Sequence, residues 1–184
     1  MPLTQLDPTA ALILIDLQKG IVALPLAHPA AGIVANAAAL AHAFRKRGLP
    51  VVLVNVIAAA PGRTDMGPRN LALPDRWADL VPELDQQPTD LLISKQRVGA
   101  FLGTGLHDLL QQRGITQLFL AGIATGSGVE STARSAYDLG YHVVLITDAC
   151  TDRSLETHNY CIEKVFPKLA ETTSTEELVA LLTA

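Results

Sequence analysis

Three places in this chain carry residues that could do chemistry together. Asp16 closes the apolar run from Ala10 to Ile15, Lys95 follows the short run from Leu91 to Ser94, and Thr125-Gly126-Ser127-Gly128 follows the run from Gln117 to Ala121. A carboxylate at the end of a buried run is partly desolvated, which raises its pKa, and an ammonium beside it lowers it again. In one dry cleft the two make a workable general acid/base pair. The competing interpretation is a structural ion pair at a sheet edge. Where a strand turns sharply into a helix, main-chain N–H groups from Ala124, Thr125, Gly126 and Ser127 would point into one pocket and stabilise an oxyanion, phosphate or carboxylate. No cysteine sits in this turn, and Ser127 is the hydroxyl of nucleophile type at its tip. No histidine stands beside Ser127 in sequence to activate it, so its expected role is to cap the helix that follows.

These groups can meet only if the elements carrying them converge. Apolar runs over Ala10–Ile15, Pro50–Val56, Leu91–Ser94, Gln117–Ala121 and Val143–Thr147 read as buried strands. Between and after them, helical spacing runs over Ala30–Arg47, Leu102–Arg113, Ser127–Leu139 and Leu155–Phe166. Ser174 and Glu177 form a capping box ahead of a last helix over Glu176–Leu182. Strands alternating with helices imply right-handed crossovers and a three-layer α/β/α, Rossmann-like fold, with a largely parallel sheet of about six strands. Sites in such sheets lie beyond the carboxyl ends of the strands. Asp16, Asn55, Lys95, the Gly122–Gly128 turn and Asp148 all fall at such ends. The stretch from Ala58 to Pro88 is too long for a simple connection and reads as a functional loop.

Composition narrows the rest. The chain has 184 residues, 49% of them hydrophobic and only 4% aromatic, the makeup of an aliphatic core around a parallel sheet. The length fits a single domain over residues 1–184. A net charge of −4 with no basic, aromatic-interleaved patch argues against nucleic acid. No apolar run reaches the ~18 residues of a membrane span, and Cys150 and Cys161 have neither metal spacing nor a disulfide framework, so a cytoplasmic protein is expected. The five histidines, at 28, 42, 107, 142 and 158, are scattered, and those at 42, 107 and 158 are expected to be solvated on helices.

Three segments, taken in order, resemble the isochorismatase-like hydrolases, the cysteine hydrolase superfamily. Ala11-Leu-Ile-Leu-Ile-Asp16-Leu-Gln18 resembles that family's opening strand. Lys95-Gln-Arg97-Val-Gly-Ala100-Phe101-Leu-Gly-Thr104 resembles its lysine segment, and Ala121-Gly-Ile-Ala-Thr125-Gly-Ser-Gly128-Val-Glu-Ser-Thr132-Ala-Arg134 the segment that carries its nucleophile. The resemblance runs from residue 10 to about 180. It implies that Asp16 stands at the family's acid/base aspartate, Lys95 at its lysine and Gly128 where the nucleophilic cysteine belongs. Glycine cannot form an acyl-enzyme. True isochorismatases are similar in carrying glycine there, and their hydrolysis of an enol ether needs no nucleophile. The resemblance further implies a small-molecule substrate, a homodimer or larger oligomer, and a cis peptide at Ile123–Ala124. Nicotinamidases of the family bind a metal through an Asp-x-His group; here Asn55-Val56-Ile57 stands in its place, and neither a metal nor another cofactor is expected. Gln18, Asn55 and Arg97 are candidate substrate contacts, as are Arg63, Arg69 and Trp77 on the long loop.

Other readings remain open at this point. Gly126-x-Gly128-x-x-Ser131 after a strand, with Asp148 twenty residues beyond Gly128, resembles a dinucleotide fingerprint. It lacks the third glycine, and Glu130 would repel a pyrophosphate. A family member repurposed to bind a ligand or partner is another possibility. Cys150 and Cys161 read as small buried hydrophobes, with Cys150 the one placed to approach the cleft.

Overall fold

The computed structural model describes residues 3–65 and 73–184 of the chain, so Arg69 lies outside the described residues. The sheet has six strands: β1 (Ala10–Ile15), β2 (Val51–Val56), β3 (Leu91–Lys95), β4 (Gln117–Ile123), β5 (His142–Thr151) and β6 (Glu171–Thr173). All pairings are parallel and the order is β3-β2-β1-β4-β5-β6. Every residue of β1 and β4 is buried, as expected of central strands covered on both faces.

The helices are α1 (Lys19–Val22), α2 (Ala30–Lys46), α3 (Leu106–Gln111), α4 (Glu130–Asp138), α5 (Leu155–Tyr160) and α6 (Thr175–Thr183). Along α2, Ile33, Val34, Ala37, Leu40, Ala41 and Phe44 recur at helical spacing and are buried. The Phe44 ring meets that of Phe119 edge-on, with centroids 5.5 Å apart, a pairing that contributes about 1 kcal/mol beyond burial. The connection from β1 to β2 runs one way across the sheet and that from β4 to β5 runs the other. Right-handed crossovers therefore put α2 and α4 on opposite faces. The reversal falls between β1 and β4, and the carboxyl ends of the strands at such a point are where sheets of this kind bind ligands. Asp16 and the turn after β4 lie on the two sides of this reversal.

Several boundaries differ from those read in the sequence. The third helix starts at Leu106, not Leu102, because Gly103 and Gly105 take positive φ values of 76° and 71° that no helix accepts. The helix from Leu155 ends as α at Tyr160, continues through a π-helical turn over Cys161–Val165, and closes in a 3-10 turn holding Pro167. Strand β5 extends four residues past Thr147, with a register shift against β4 between Leu120 and Gly122. The short helix α1 and strand β6 carry too few residues for a periodic signal. The capping box at Ser174 and Glu177 forms as expected. No helix among the described residues is long and apolar enough to cross a membrane.

Candidate active site

Asp16 sits one residue past β1, with φ 54°, in the left-handed region that costs a side-chain-bearing residue roughly 1–3 kcal/mol. Its N–H donates to Val54 O at 2.9 Å. From this position the carboxylate meets Lys95, and Oδ2 accepts from its Nζ at 2.8 Å. The ammonium also donates to Arg97 O at 3.3 Å. Both side chains are nearly sealed from solvent, Asp16 at 8% and Lys95 at 2% exposure. Burial pushes the Asp16 carboxyl up from its usual 3.8 to about 6, although the charge and hydrogen bond of Lys95 pull the other way. The second oxygen, Oδ1, is buried and has no protein partner. Such an atom is rare in a folded protein and demands an explanation.

The opposite wall is the turn after β4. Gly122 has φ 127°, and a Cβ there would overlap the carbonyl oxygen of Ile15, so only glycine lets β4 pass β1 this closely. The Ile123–Ala124 peptide is cis, as expected. Thr125–Val129 then forms a π-helical turn leading into α4. A Cβ on Gly128 would lie 3.1 Å from Ile15 Cγ2 and 3.2 Å from Asp16 Oδ2. The turn thus presses bare main chain against the acid.

The cradle of amides differs from the sequence expectation. Gly126 N–H donates to Asp152 Oδ2 at 2.8 Å and Ser127 N–H to Ala124 O at 3.0 Å, so two of the expected donors are already engaged. Thr125 is fully buried, its hydroxyl 2.8 Å from His158 Nδ1. The Ser127 side chain is exposed and caps nothing: neither the turn nor α4 receives a side-chain cap bond. The π turn moves the helix start beyond its reach.

The proposed substrate contacts divide by placement. Gln18 is fully buried and brackets Val56, donating to its carbonyl at 3.1 Å and accepting from its N–H at 2.7 Å. Asn55 donates to Ala78 O and accepts from Ser94 Oγ, at 2.9 and 2.8 Å. Gln18 also donates to Trp77 O at 3.4 Å, so both amides tie strand ends to the loop. Arg97 is half-buried beside Lys95, its guanidinium donating to Gln96 O at 2.8 Å. Trp77 lies over Gly20, whose missing side chain makes room for the ring, and Arg63 is exposed.

Asp148 does not join this site. It lies within β5, and its Oδ1 accepts from Thr175 N–H and Oγ1 at 2.8 and 2.9 Å, fastening α6. That removes the acid the dinucleotide fingerprint needs. Asp152, four residues on, is the carboxylate that reaches the turn, and neither motif nor spacing distinguished it. His158 is buried rather than solvated, packed edge-on to His28 with centroids 4.8 Å apart. Burial lowers its pKa, His28 lowers it further, and Asp152 opposes them. His107 pairs with Tyr141 Oη at 2.9 Å and His42 is exposed. Cys150 and Cys161 are buried, and desolvation foremost pushes both thiols up to about 12. Among the described residues, no three His, Cys, Asp or Glu side chains are grouped to hold a metal ion.

The isochorismatase domain family matches residues 10–177. The uncharacterized isochorismatase family protein YecD of Escherichia coli O157:H7 is 40% identical over 183 residues, covering 95% of this chain and 96% of that one. The structure of an isochorismatase family protein from Burkholderia thailandensis superposes with a TM-score of 0.92 at 41% identity, covering 97% of this chain and 98% of that one. The ureidoacrylate amidohydrolase RutB of Agrobacterium fabrum is 38% identical over a shorter stretch of 91 residues, 47% of this chain and 40% of that one.

Proposed function

The chain belongs to the isochorismatase family, and from that premise we propose that it hydrolyses a small metabolite by acid–base chemistry without a covalent intermediate, an enol ether being the favoured substrate class. The observation that carries this reading is the unpartnered, buried Oδ1 of an Asp16 carboxylate whose other oxygen, Oδ2, is held by Lys95 and lies against Gly128, a residue with no side chain. A carboxyl pushed up to about 6 is protonated in about half the molecules near pH 6 and in about a tenth at pH 7, which places it within reach of general-acid work. Protonated at Oδ1, Asp16 gives that proton to the vinyl carbon of the enol ether. The electron pair of the carbon–carbon double bond forms the new C–H bond, and the ether oxygen shares the resulting positive charge as an oxocarbenium ion. Water adds to the neighbouring carbon, the one that bears the ether oxygen, and loses a proton to the Asp16 carboxylate. The hemiketal then collapses, breaking its bond to the leaving oxygen, to an alcohol and a ketone, which is pyruvate where the enol carries a carboxylate. Lys95 stabilises the Asp16 carboxylate in the interval between the two proton transfers.

The ureidoacrylate amidohydrolase among the relatives supports a second reading, amide hydrolysis. Gly128 offers no nucleophile for it, and both thiols are buried and held protonated. The working form proposed is a homodimer or larger oligomer, measurable by light scattering. The deciding experiment is a screen of enol ethers, amides and esters with the wild type beside Asp16→Asn. Enol-ether turnover lost in the variant supports the proposal. Amide turnover with an acyl-enzyme burst overturns it, and silence on every class, with ligand binding retained, favours a repurposed binding protein.

A further inference from the structure

The turn that faces Asp16 is fastened from behind by two groups that the proposed reaction does not use. Thr125 Oγ1 is held by His158 Nδ1 at 2.8 Å, and one residue later Gly126 N–H donates to Asp152 Oδ2 at the same distance. The other oxygen of Asp152 accepts from the N–H groups of Arg153 and Ser154, at 2.7 and 3.4 Å. A carboxylate that is 8% exposed thus collects three main-chain donors from two segments, the makeup of a complete anion site whose anion belongs to the chain. His158 is braced in turn by the His28 ring, and His28 is anchored through its N–H and Nδ1 to Thr151 Oγ1 at 3.2 and 3.0 Å.

This fastening acts where clearance is smallest. In front of the turn, the Cβ position of Gly128 is 3.2 Å from Asp16 Oδ2. Behind it, the Cβ position of Gly126 is 2.5 Å from Thr157 Cγ2 and 3.2 Å from Cys161 Sγ. The turn is wedged between the acid and the segment that begins with α5. The charged and titratable neighbours on the rear side are His158 and Cys161, with Glu130 accepting from Cys161 Sγ at 3.4 Å; on the front side Asp16 faces Lys95.

We propose that Asp152 and His158 are positioning residues that hold Gly128 against Asp16, keeping the acid desolvated and its free oxygen aimed at substrate. Asp152 also withdraws Gly126 N–H from any substrate oxyanion, so the anionic part of a substrate is met elsewhere in the cleft. The kinetic consequence rests on the hydrolase reading above; the structural consequence does not.

The test uses the full chain as wild type, Asp152→Ala, Asp152→Asn and His158→Ala. The titration midpoint of the Asp16 carboxyl is followed by carbon-13 NMR, and kcat and KM are measured with whichever substrate the screen yields. Without either fastener the turn retreats and water reaches Asp16, so its midpoint falls by about one pH unit. kcat falls about a hundredfold, the usual penalty for a displacement near 1 Å, while KM changes little. Asp152→Asn keeps an acceptor for Gly126 N–H and restores more than half of both effects. A midpoint that stays at the wild-type value in folded Asp152→Ala and His158→Ala overturns the proposal, as does an Asn variant no better than Ala. If Asp152→Ala cannot be obtained folded, His158→Ala alone carries the same decision. If no substrate is turned over, the hydrolase reading fails and the NMR midpoint still decides this one.

Discussion

Oδ2 of Asp16 lies 3.2 Å from the point where a side chain on residue 128 would begin. The carboxylate cannot move aside freely, because Lys95 Nζ holds the same oxygen at 2.8 Å. The absence of a side chain at 128 is therefore a spatial requirement of this site as well as a chemical one.

Gly128→Ala tests that clearance. Alanine is worth about 1 kcal/mol more than glycine in a helical turn, but crowding against Ile15 Cγ2 and Asp16 costs about 1–3 kcal/mol. With Asp16 pinned, crowding wins: a net loss of about 1 kcal/mol and a Tm lower by about 3 °C. Activity falls more than stability does, because the methyl group crowds Oδ2 and disturbs the Asp16–Lys95 pair. A thermal melt equal to or above wild type would show that the turn has room to spare.

Asp16→Asn removes the proton donor while keeping shape, so turnover is abolished in a folded protein. Thiol-blocking reagents leave activity unchanged, since Cys150 and Cys161 are 1% and 2% exposed and hold their protons. Inhibition by a thiol reagent under native conditions would mean a cysteine takes part and would sink the nucleophile-free mechanism.

Asp16 also makes a pH signature. Its folded pKa of about 6 exceeds the unfolded value near 3.8, so between the two the native state binds more protons than the unfolded one. Its contribution to stability is then fully present below about 4 and is lost as pH rises through about 6. The size is roughly 3 kcal/mol, two units at 1.36 kcal/mol each. Chemical denaturation at pH 4, 5, 6 and 7 compared with Asp16→Asn isolates the slope, and parallel curves would contradict it. Under the proposed mechanism kcat/KM falls along the same limb, because the acid must enter the reaction protonated.

Lys95→Met leaves Asp16 buried without its cation. Both attractive effects of Lys95 vanish, so the Asp16 midpoint climbs above 6. The variant loses stability steeply at pH 8, where the carboxylate would have to be charged and unpaired, by about 3–5 kcal/mol. The loss is smaller at pH 5. Equal destabilisation at both values would show that the pair is not coupled as the geometry requires.

Gly20→Ala puts a Cβ into the Trp77 ring and dislodges the part of the long loop that carries it. That part is otherwise held by Lys19 and Arg76 on Asp79 and by Asn55 on Ala78. Trp77 is the only tryptophan, so its fluorescence reports the change: emission shifts to the red and becomes more readily quenched. An unchanged spectrum would show that the ring does not rest on Gly20.

Much of this was legible in the linear chain. Apolar runs such as Ala10–Ile15 and Gln117–Ala121, alternating with helical segments, are consistent with central parallel strands, and a charged residue directly after such a strand emerges at a sheet end. Hence Asp16, Lys95 and the Gly122–Gly128 turn could be placed at one edge before any coordinates. The three-residue strand β6 and four-residue helix α1 could not be read, because a period needs more residues than they have. The early start assigned to α3 failed because two glycines with positive φ overrode a good helical pattern.

Sequence by itself determined the fold class, the placement of Asp16 and Lys95 at strand ends, and the bareness of position 128, because each follows from residue type and its distance from an apolar run. Only the tertiary structure decided which carboxylate serves the turn. Asp148 looked right by position, yet β5 runs on past it, its side chain binds α6, and Asp152 reaches Gly126 instead. It also decided that Gln18 and Asn55 tie the scaffold together and that His158 is buried. Partners separated by tens of residues are chosen by packing and by the need to pair every buried polar group, and a linear pattern holds no record of that choice.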